Sequence, residues 1–501
     1  MARIEDEEGA KDASAEIAAE AEAAPDLTAA AVDVIPPEIV AQSLSQYLKA
    51  WSVRARSGDA GVLPVAVGLM VVTIAFWIVS PDHLFLSPGN LVYLFIQSSV
   101  FIVLAMAEGF VLLLGEIDLS AGYVAAIGGI IAAELVQPHS LLPWWLPVIG
   151  AGLACVGIVA ILLMHRGMYL RSWLAAVGVL LVGTGLGTAF FGAWVVAVAV
   201  ALLACAGIGA IHGIIITRLG VPSFVVTLAG YLFWFGVMII LLGPAGGVSI
   251  GSIVLHDQQV LFGIVNNNID PVISWIGLAV IVGLLGTSMW LRDAGRRRSG
   301  LVAPPVGLTA MKIAVIAVAG IVVVAICNVN RGPYKPVEGV PWVFLVVLGL
   351  LAVWTMLLER TQFGRHMYAV GGNAEAARRA GISVSGIRIA AFILCSLTAG
   401  VAGVIYASQL GGVTTNINGG QLVLYAVAAA VIGGTSLFGG RGRAIHGLLG
   451  GLVIGAIYNG LYLLGLQIEW QYIATGLVLL AAVTVDSLSR RGAGSGSLVR
   501  V

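Results

Sequence analysis

Long apolar runs separated by short polar or basic connections fill the chain from residue 61 to residue 487. An apolar helix of roughly 18 or more residues crosses the hydrocarbon layer of a bilayer. The pattern predicts fourteen such spans, at 61–80, 91–114, 121–136, 144–164, 172–192, 193–216, 221–243, 271–291, 309–328, 341–358, 389–410, 421–437, 445–464 and 470–487. Twelve are possible if one hairpin is lost within 144–216, where two of the three runs abut without a polar connection. Either count is even and puts the two termini on one side. The fold class is an all-α polytopic membrane protein with about 14 transmembrane helices.

Basic residues orient it. With the N-terminus inside, the connections holding Arg166 and Arg171, Arg218, Arg292 with Arg296 to Arg298, Arg360 to Arg388, and Arg441 with Arg443 all fall inside, as does the tail with Arg490 and Arg491. Beyond residue 40 only Arg331 and Lys335 fall outside, the asymmetry expected of cytoplasmic loops. Both termini are therefore predicted to be cytoplasmic.

Composition agrees and adds one asymmetry. Of 501 residues, 59% are hydrophobic and 10% charged, with a mean hydropathy of +1.02, which excludes soluble classes, nucleic-acid binders among them. The formal charge of +0 conceals eleven acids and two bases in residues 1–40, a net −9 set against +9 in the remainder. Residues 1–37 read as a disordered acidic cytoplasmic tail rather than a secretory signal. Within 38–58, Ile39, Val40, Leu44, Tyr47, Leu48 and Trp51, with Lys49, Arg54 and Arg56, suit an amphipathic helix lying on the inner leaflet. A cytoplasmic tail occupies 488–501.

Candidate chemistry is sparse. Lys11, Lys49, Lys312 and Lys335 are the four lysines, and none stands in a Gly-Lys-Ser/Thr phosphate loop, so no ATP hydrolysis is expected of this chain. Its seven histidines lack metal-ligand spacing, and Cys155, Cys205, Cys327 and Cys395 lie singly in apolar runs as packing residues. No catalytic residue, metal site or bound cofactor is predicted. The outer connection 244–270, with its turn formers and Asn266 to Asn268, suits a surface facing another protein.

Three segments stand out. Residues 359–388 form the longest polar connection between spans, in which Asn373 suits an N-cap, Glu375 the first turn, Arg378 and Arg379 the last, and Gly381 the left-handed stop. A short helix standing in the cytoplasm follows, or else a solvated loop that merely orients the chain. Glu116 and Asp118, before Ser120, either cap the next helix or form a polar hinge or gate. Gly433 and Gly434, followed by Thr435 and then Gly439 and Gly440, predict a broken or closely packed span, and Gly447, Gly451 and Gly455 a packing stripe in the next.

These segments carry a resemblance. Gly364-Arg365-x-x-Tyr368-Ala369-Val370-Gly371-Gly372-Asn373-x-Glu375-Ala376-Ala377-Arg378, with Gly381-Ile382, resembles the coupling loop of bacterial ABC sugar-importer permeases of the ribose/xylose class. Gly115-Glu116-Ile117-Asp118-Leu119-Ser120-Ala121-Gly122 and Val431-Ile432-Gly433-Gly434-Thr435-Ser436-Leu437-Phe438-Gly439-Gly440 resemble two further family segments, in the family's order. The stretch from Val221-Pro222-Ser223-Phe224 to Gly230 and the basic 292–298 loop are similar to the xylose-type branch. The resemblance spans roughly 61–145 and 195–490, which leaves 146–192 as an inserted hairpin. Ahead of the Gly-Gly-Thr-Ser segment, where the family usually carries a Glu-Leu-Asp triplet, this chain has Val423-Leu424-Tyr425.

The resemblance implies a permease subunit importing a monosaccharide, xylose or a related pentose or hexose, across the bacterial cytoplasmic (inner) membrane. Gly371, Gly372, Asn373, Glu375, Ala376, Ala377, Arg378 and Gly381 would couple to an ABC ATPase. Glu116, Asp118, Ser120, Gly433, Gly434 and Thr435 would line the translocation path or its gate. The implied partners are that ATPase, with two fused nucleotide-binding modules carrying ATP and Mg, an extracytoplasmic sugar-binding protein and a second permease copy in a homodimer. The alternative is an ion-driven secondary transporter of a small neutral solute. It predicts deep acid or acid–base pairs, whereas the further acids within the assigned spans are Glu108, Glu134 and, at the end of the last, Asp486.

Overall fold

The computed structural model describes residues 63–137, 193–243, 251–255, 259–301, 303–332, 335–467 and parts of 469–484. The predicted tail, surface helix, C-terminal tail and runs 144–164 and 172–192 lie outside the described residues, and the run 470–487 does so in large part.

The described helices are α1 (Leu63–Val79), α2 (Pro88–Leu112), α3 (Ala121–Leu135), α4 (Ala193–Arg218), α5 (Ser223–Leu242), α6 (Gln259–Asn266), α7 (Pro271–Arg298), α8 (Val306–Cys327), α9 (Trp342–Arg360), α10 (Gln362–Gly372), α11 (Ala374–Arg379), α12 (Val384–Leu410), α13 (Gly419–Ile432) and α14 (Ala444–Leu463). Eight of them, namely α2, α4, α5, α7, α8, α9, α12 and α14, are long and apolar enough to cross a membrane, while α1, α3 and α13 are shorter apolar helices. Two antiparallel strand pairs join the connections: β1 (Ser252–Val254) with β4 (Gly412–Thr414), and β2 (Asn268–Ile269) with β3 (Val340–Pro341).

The chain forms two compact units. In the smaller, residues 276–322, the buried Asp293 accepts a hydrogen bond from Thr309 Oγ1 at 2.8 Å, and Gly286 and Gly320 lie against Ile313 and Leu278. The larger unit holds the three singled-out segments and is built around α2, α3, α4, α12, α13 and α14.

Small residues bring its helices together. Side chains at Gly400 and Gly403 of α12 would collide with Cys205 and with the Ala125 carbonyl, and at Gly209 and Gly213 of α4 with the α12 backbone at Phe392 and Ile389. The predicted stripe Gly447, Gly451 and Gly455 of α14 lies against Met106, Ile102 and Ser98 of α2. Inside lipid no hydrophobic gain separates helix from helix, so close packing and interhelical hydrogen bonds must hold them. An amide cluster adds the latter between α2 and α14: Asn459 Nδ2 donates to Gln97 Oε1 at 3.0 Å and to Asn90 Oδ1 at 3.1 Å, and Asn90 Nδ2 donates to Asn459 Oδ1 at 2.9 Å.

Two central helices are short. The span predicted at 421–437 is helical only to Ile432, since Gly434 takes φ +109° and the chain then turns irregularly through Gly439 (+84°) and Gly440 (+73°). At 14 residues α13 is about 21 Å long and α3, at 15, is similar, less than the ~30 Å hydrocarbon thickness. Nearly every residue of both is buried, which is where non-helical backbone inside a membrane protein is tolerated.

Gly403→Val should therefore lower thermal stability in detergent by ~1–3 kcal/mol through overpacking. Gly349→Ala, where a side chain meets open space, should not. Equal unfolding midpoints for the two variants would sink this account of the packing.

Candidate functional site: a three-segment junction and a buried polar relay

The connection after α9 is more ordered than its sequence predicted. Thr361 Oγ1 accepts from the Gly364 amide at 3.2 Å and starts α10, an unpredicted helix that the capping threonine before Gln362 could have signalled. Asn373 Oδ1 accepts from the Ala376 amide at 2.9 Å and starts α11. Glu375 in its first turn pairs with Arg378 (2.8 Å) and Arg379 (3.3 Å) in its last. Gly381, at φ +82°, ends it, with the Gly381 and Ile382 amides returning to the Arg378 and Ala377 carbonyls. Within α11 only Ala377 is buried, so Glu375, Arg378 and Arg379 present a charged outer face.

Behind α11 the three singled-out segments meet. The Gly440 amide donates to the Leu113 carbonyl at 2.9 Å. Gly371 lies against both, and a side chain there would overlap Leu113 O. Gly439 approaches the Gly371 carbonyl and the Gly115 amide, while Gly115 (φ +73°) faces the Phe438 carbonyl. Tyr368 Oη donates to the Gly442 carbonyl at 2.7 Å, and Arg443 pairs with Glu359 at 3.2 Å. Burial pushes the Tyr368 phenol up from its ordinary pKa, with Glu359 adding and Arg443 opposing, which keeps it a donor.

Beside the junction lies a polar interior. Glu116 and Arg388, the latter four residues into α12, form a salt bridge. Burial raises the Glu116 carboxyl above its ordinary pKa, and the Arg388 guanidinium works against that rise. Asp118, fully buried, accepts from Ser120 twice at Oδ1, from the hydroxyl at 2.5 Å and the amide at 3.0 Å. Its own amide points to Glu108 Oε2 at 3.5 Å. Ser120 Oγ lies 3.3 Å from His212 Nδ1 of α4, and Trp234 Nε1 of α5 lies 3.2 Å from His212 Nε2. Ser120, at the N-cap of α3, makes no side-chain cap bond, while the Asp118 carboxylate takes the Ser120 amide just ahead of that helix. Glu108 Oε1, Glu116 Oε2 and Asp118 Oδ2 are buried without a hydrogen-bond partner among the described residues.

Of the sequence-predicted residues, Gly371, Gly372, Gly439 and Gly440 meet at the junction with Gly115, and Asp118 and Ser120 enter the relay. Gly433 and Gly434 instead lie on His446 of α14, and Thr435 is buried beside Gly442. Sequence reasoning passed over Tyr368, Glu359, Arg443, Arg388, Glu108, His212 and Trp234 as site residues. The signal for Arg388, Glu108 and His212 was a polar group on an otherwise apolar helix. No group of three or more His, Cys, Asp or Glu able to hold a metal ion occurs among the described residues.

Comparison with known proteins adds independent information. The family model described as "Branched-chain amino acid transport system / permease component" matches residues 90–483. The xylose transport system permease protein of Escherichia coli (strain K12) is 30% identical over 427 residues, covering 85% of this chain and 92% of that protein. The D-allose transport system permease protein of the same strain is 26% identical over 421 residues, 84% and 90% of the respective chains. The ribose import permease protein of that strain is 43% identical over 152 residues, 30% of this chain and 46% of the relative. No solved structure matches.

The Glu116–Arg388 pair can be tested by a double-mutant cycle. Glu116→Gln or Arg388→Gln alone strands a charge or an acceptor and should destabilise by up to ~3–5 kcal/mol, toward the lower end because the Arg388 side chain is 32% exposed. The double variant should lose less than the sum, by ~0.5–3 kcal/mol. Strict additivity in thermal unfolding would show that the pair is not coupled.

Proposed function

The chain belongs to the family of branched-chain amino acid transport system permease components, and from that premise we propose that it is the membrane-spanning subunit of an ATP-driven monosaccharide importer in the bacterial inner membrane. Its cargo is xylose or a related pentose or hexose, as the names of the xylose, allose and ribose permeases suggest. ATP and Mg belong to a separate ATPase with two nucleotide-binding modules, an extracytoplasmic protein delivers the sugar, and two copies of this chain enclose the path. Both termini and the 359–388 connection are cytoplasmic in this reading, with 1–37 an acidic tail, 38–58 a surface helix and 146–192 an insertion.

One observation carries the proposal. A protruding capped helix, α11, is joined through Gly371 to the backbones at Leu113 and Gly440, and thus to the segments that open α3 and close α13. An importer must convert motion of a nucleotide-binding partner into motion of helices, and a linkage of backbone contacts does that with little slack. In this mechanism the ATPase grips α11 by Glu375 and Arg378, with the small Ala376 permitting close approach while the buried Ala377 faces the protein. Displacement of α10 and α11 shifts the 113–120 and 433–443 segments together. Asp118, Ser120 and Thr435 move with them and change the inner gate.

A neutral sugar needs hydrogen-bonding groups and no counter-charge. The amide cluster of Asn90, Gln97 and Asn459 and the scarcity of ionisable side chains in the helices are compatible with such a cargo.

The test is charge reversal on α11. In cells also producing the partner ATPase and binding protein, Glu375→Arg and Arg378→Glu should each abolish most uptake and the stimulation of ATP hydrolysis. Membrane levels should be unchanged, since exposed ion pairs contribute only ~0–1 kcal/mol. Unaltered uptake together with unaltered stimulation would overturn the coupling role.

A further inference from the structure

His212 and Trp234 lie outside the three segments of the junction, on α4 and α5. Their geometry is directional. An indole N–H donates and does not accept, so Trp234 Nε1, 3.2 Å from His212 Nε2, fixes Nε2 as the acceptor. A neutral imidazole then carries its proton on Nδ1, which faces Ser120 Oγ at 3.3 Å. The Ser120 hydroxyl, accepting there, has its single proton left for Asp118 Oδ1 at 2.5 Å. The chain of donors runs one way, from Trp234 through His212 and Ser120 to Asp118.

The backbone makes room for this arrangement. A side chain at Gly230 of α5 would come within 2.7 Å of His212 Nε2 and 3.3 Å of Ser120 Cβ. His212, Ser120 and Asp118 are all buried, so little water competes for these bonds and their loss leaves polar groups unsatisfied.

We infer that His212 and Trp234 are positioning residues of the gate, which hold Ser120 and Asp118 against α4 and α5 through a hydrogen-bond chain of fixed polarity. The inference rests on the reading of Asp118 and Ser120 as gate residues. It extends that reading by giving α4 and α5 a share in the motion. When the 113–120 segment is displaced, these two helices follow it or the buried Ser120–His212 link must break, so the gate's motion carries the cost of that link.

Two measurements test this on the full chain. In protein labelled with ¹⁵N-histidine and reconstituted in lipid, His212 should give the nitrogen signature of the Nδ1–H tautomer, identified by its disappearance in His212→Gln. Trp234→Phe should remove the tautomer's uniformity. An Nε2–H tautomer in the wild type overturns the inference without reference to transport. In cells with the ATPase and binding protein, His212→Leu should lower uptake about tenfold, the scale of a lost buried hydrogen bond, while ATP hydrolysis stays stimulated. His212→Gln, whose amide can both accept from Trp234 and donate to Ser120, should restore most of the uptake. Equal uptake by the Leu variant and the wild type, or a Gln variant no better than Leu, overturns the positioning role. Absence of sugar uptake by the wild type would sink the transport reading instead, and the tautomer would still judge the chain of bonds.

Discussion

The Leu113 carbonyl is the point on which this architecture turns. The last carbonyls of a helix have no partner within it, and α2 solves most of that problem locally: the Leu113, Leu114, Gly115 and Glu116 amides turn back onto Gly109, Val111, Leu112 and Val111. Leu113 O is served from far away in sequence, by the Gly440 amide. That bond can form only if two backbones approach without intervening side chains, and Gly371 and Gly439 are where a methyl group would block the approach. The need to satisfy one carbonyl therefore draws the end of α2, the end of α10 and the loop after α13 into a single knot.

Charge reinforces the knot. Glu116 follows Leu113 by three residues and pairs with Arg388, seven residues beyond the glycine that ends α11. A carboxylate and a guanidinium so placed are costly to separate, because each would be left charged in a poorly solvated interior. The 113–120 segment is thus tied on one side to the approach to α11, through Gly371, and on the other to its exit, through Arg388. A displacement of α11 relative to α2 strains both ties, whereas an unattached loop would absorb it.

Much of this was legible in the sequence. The apolar runs at 61–80, 91–114, 121–136, 193–216, 221–243, 271–291, 309–328, 341–358, 389–410 and 445–464 each coincide with a described helix, because a long apolar run has few other stable conformations in lipid. The cap at Asn373 and the stop at Gly381 were readable because capping depends on side chains within a few residues. What escaped was non-local. Nothing near Arg388 in sequence announces Glu116, and nothing near Ser120 announces His212, 92 residues away. The end of α13 was misjudged by five residues because apolarity continues past Ile432 into Leu437 and Phe438, while the backbone is broken by Gly433 and Gly434.

Val423-Leu424-Tyr425, which stand where the family resemblance implies an acidic triplet, have a physical role in this fold. Tyr425 is 3% exposed and its ring makes edge contacts with Phe101 of α2 at 5.4 Å and Tyr458 of α14 at 6.4 Å. Its hydroxyl accepts from Gln421 Nε2 at 2.7 Å. Val423 is buried as well, and Leu424 alone of the three is exposed. Two carboxylates in this setting would need cations, and the aromatic rings around Tyr425 offer none. Tyr425 supplies packing at the centre of the α2, α13 and α14 contact, where aromatic pairs are worth ~0.5–1.5 kcal/mol beyond their area. In this chain, therefore, residues 423–425 hold the short helix α13 in place from one end while the Leu113–Gly440 bond holds the loop at its other end, so α13 is pinned on both sides of the glycines at which it stops.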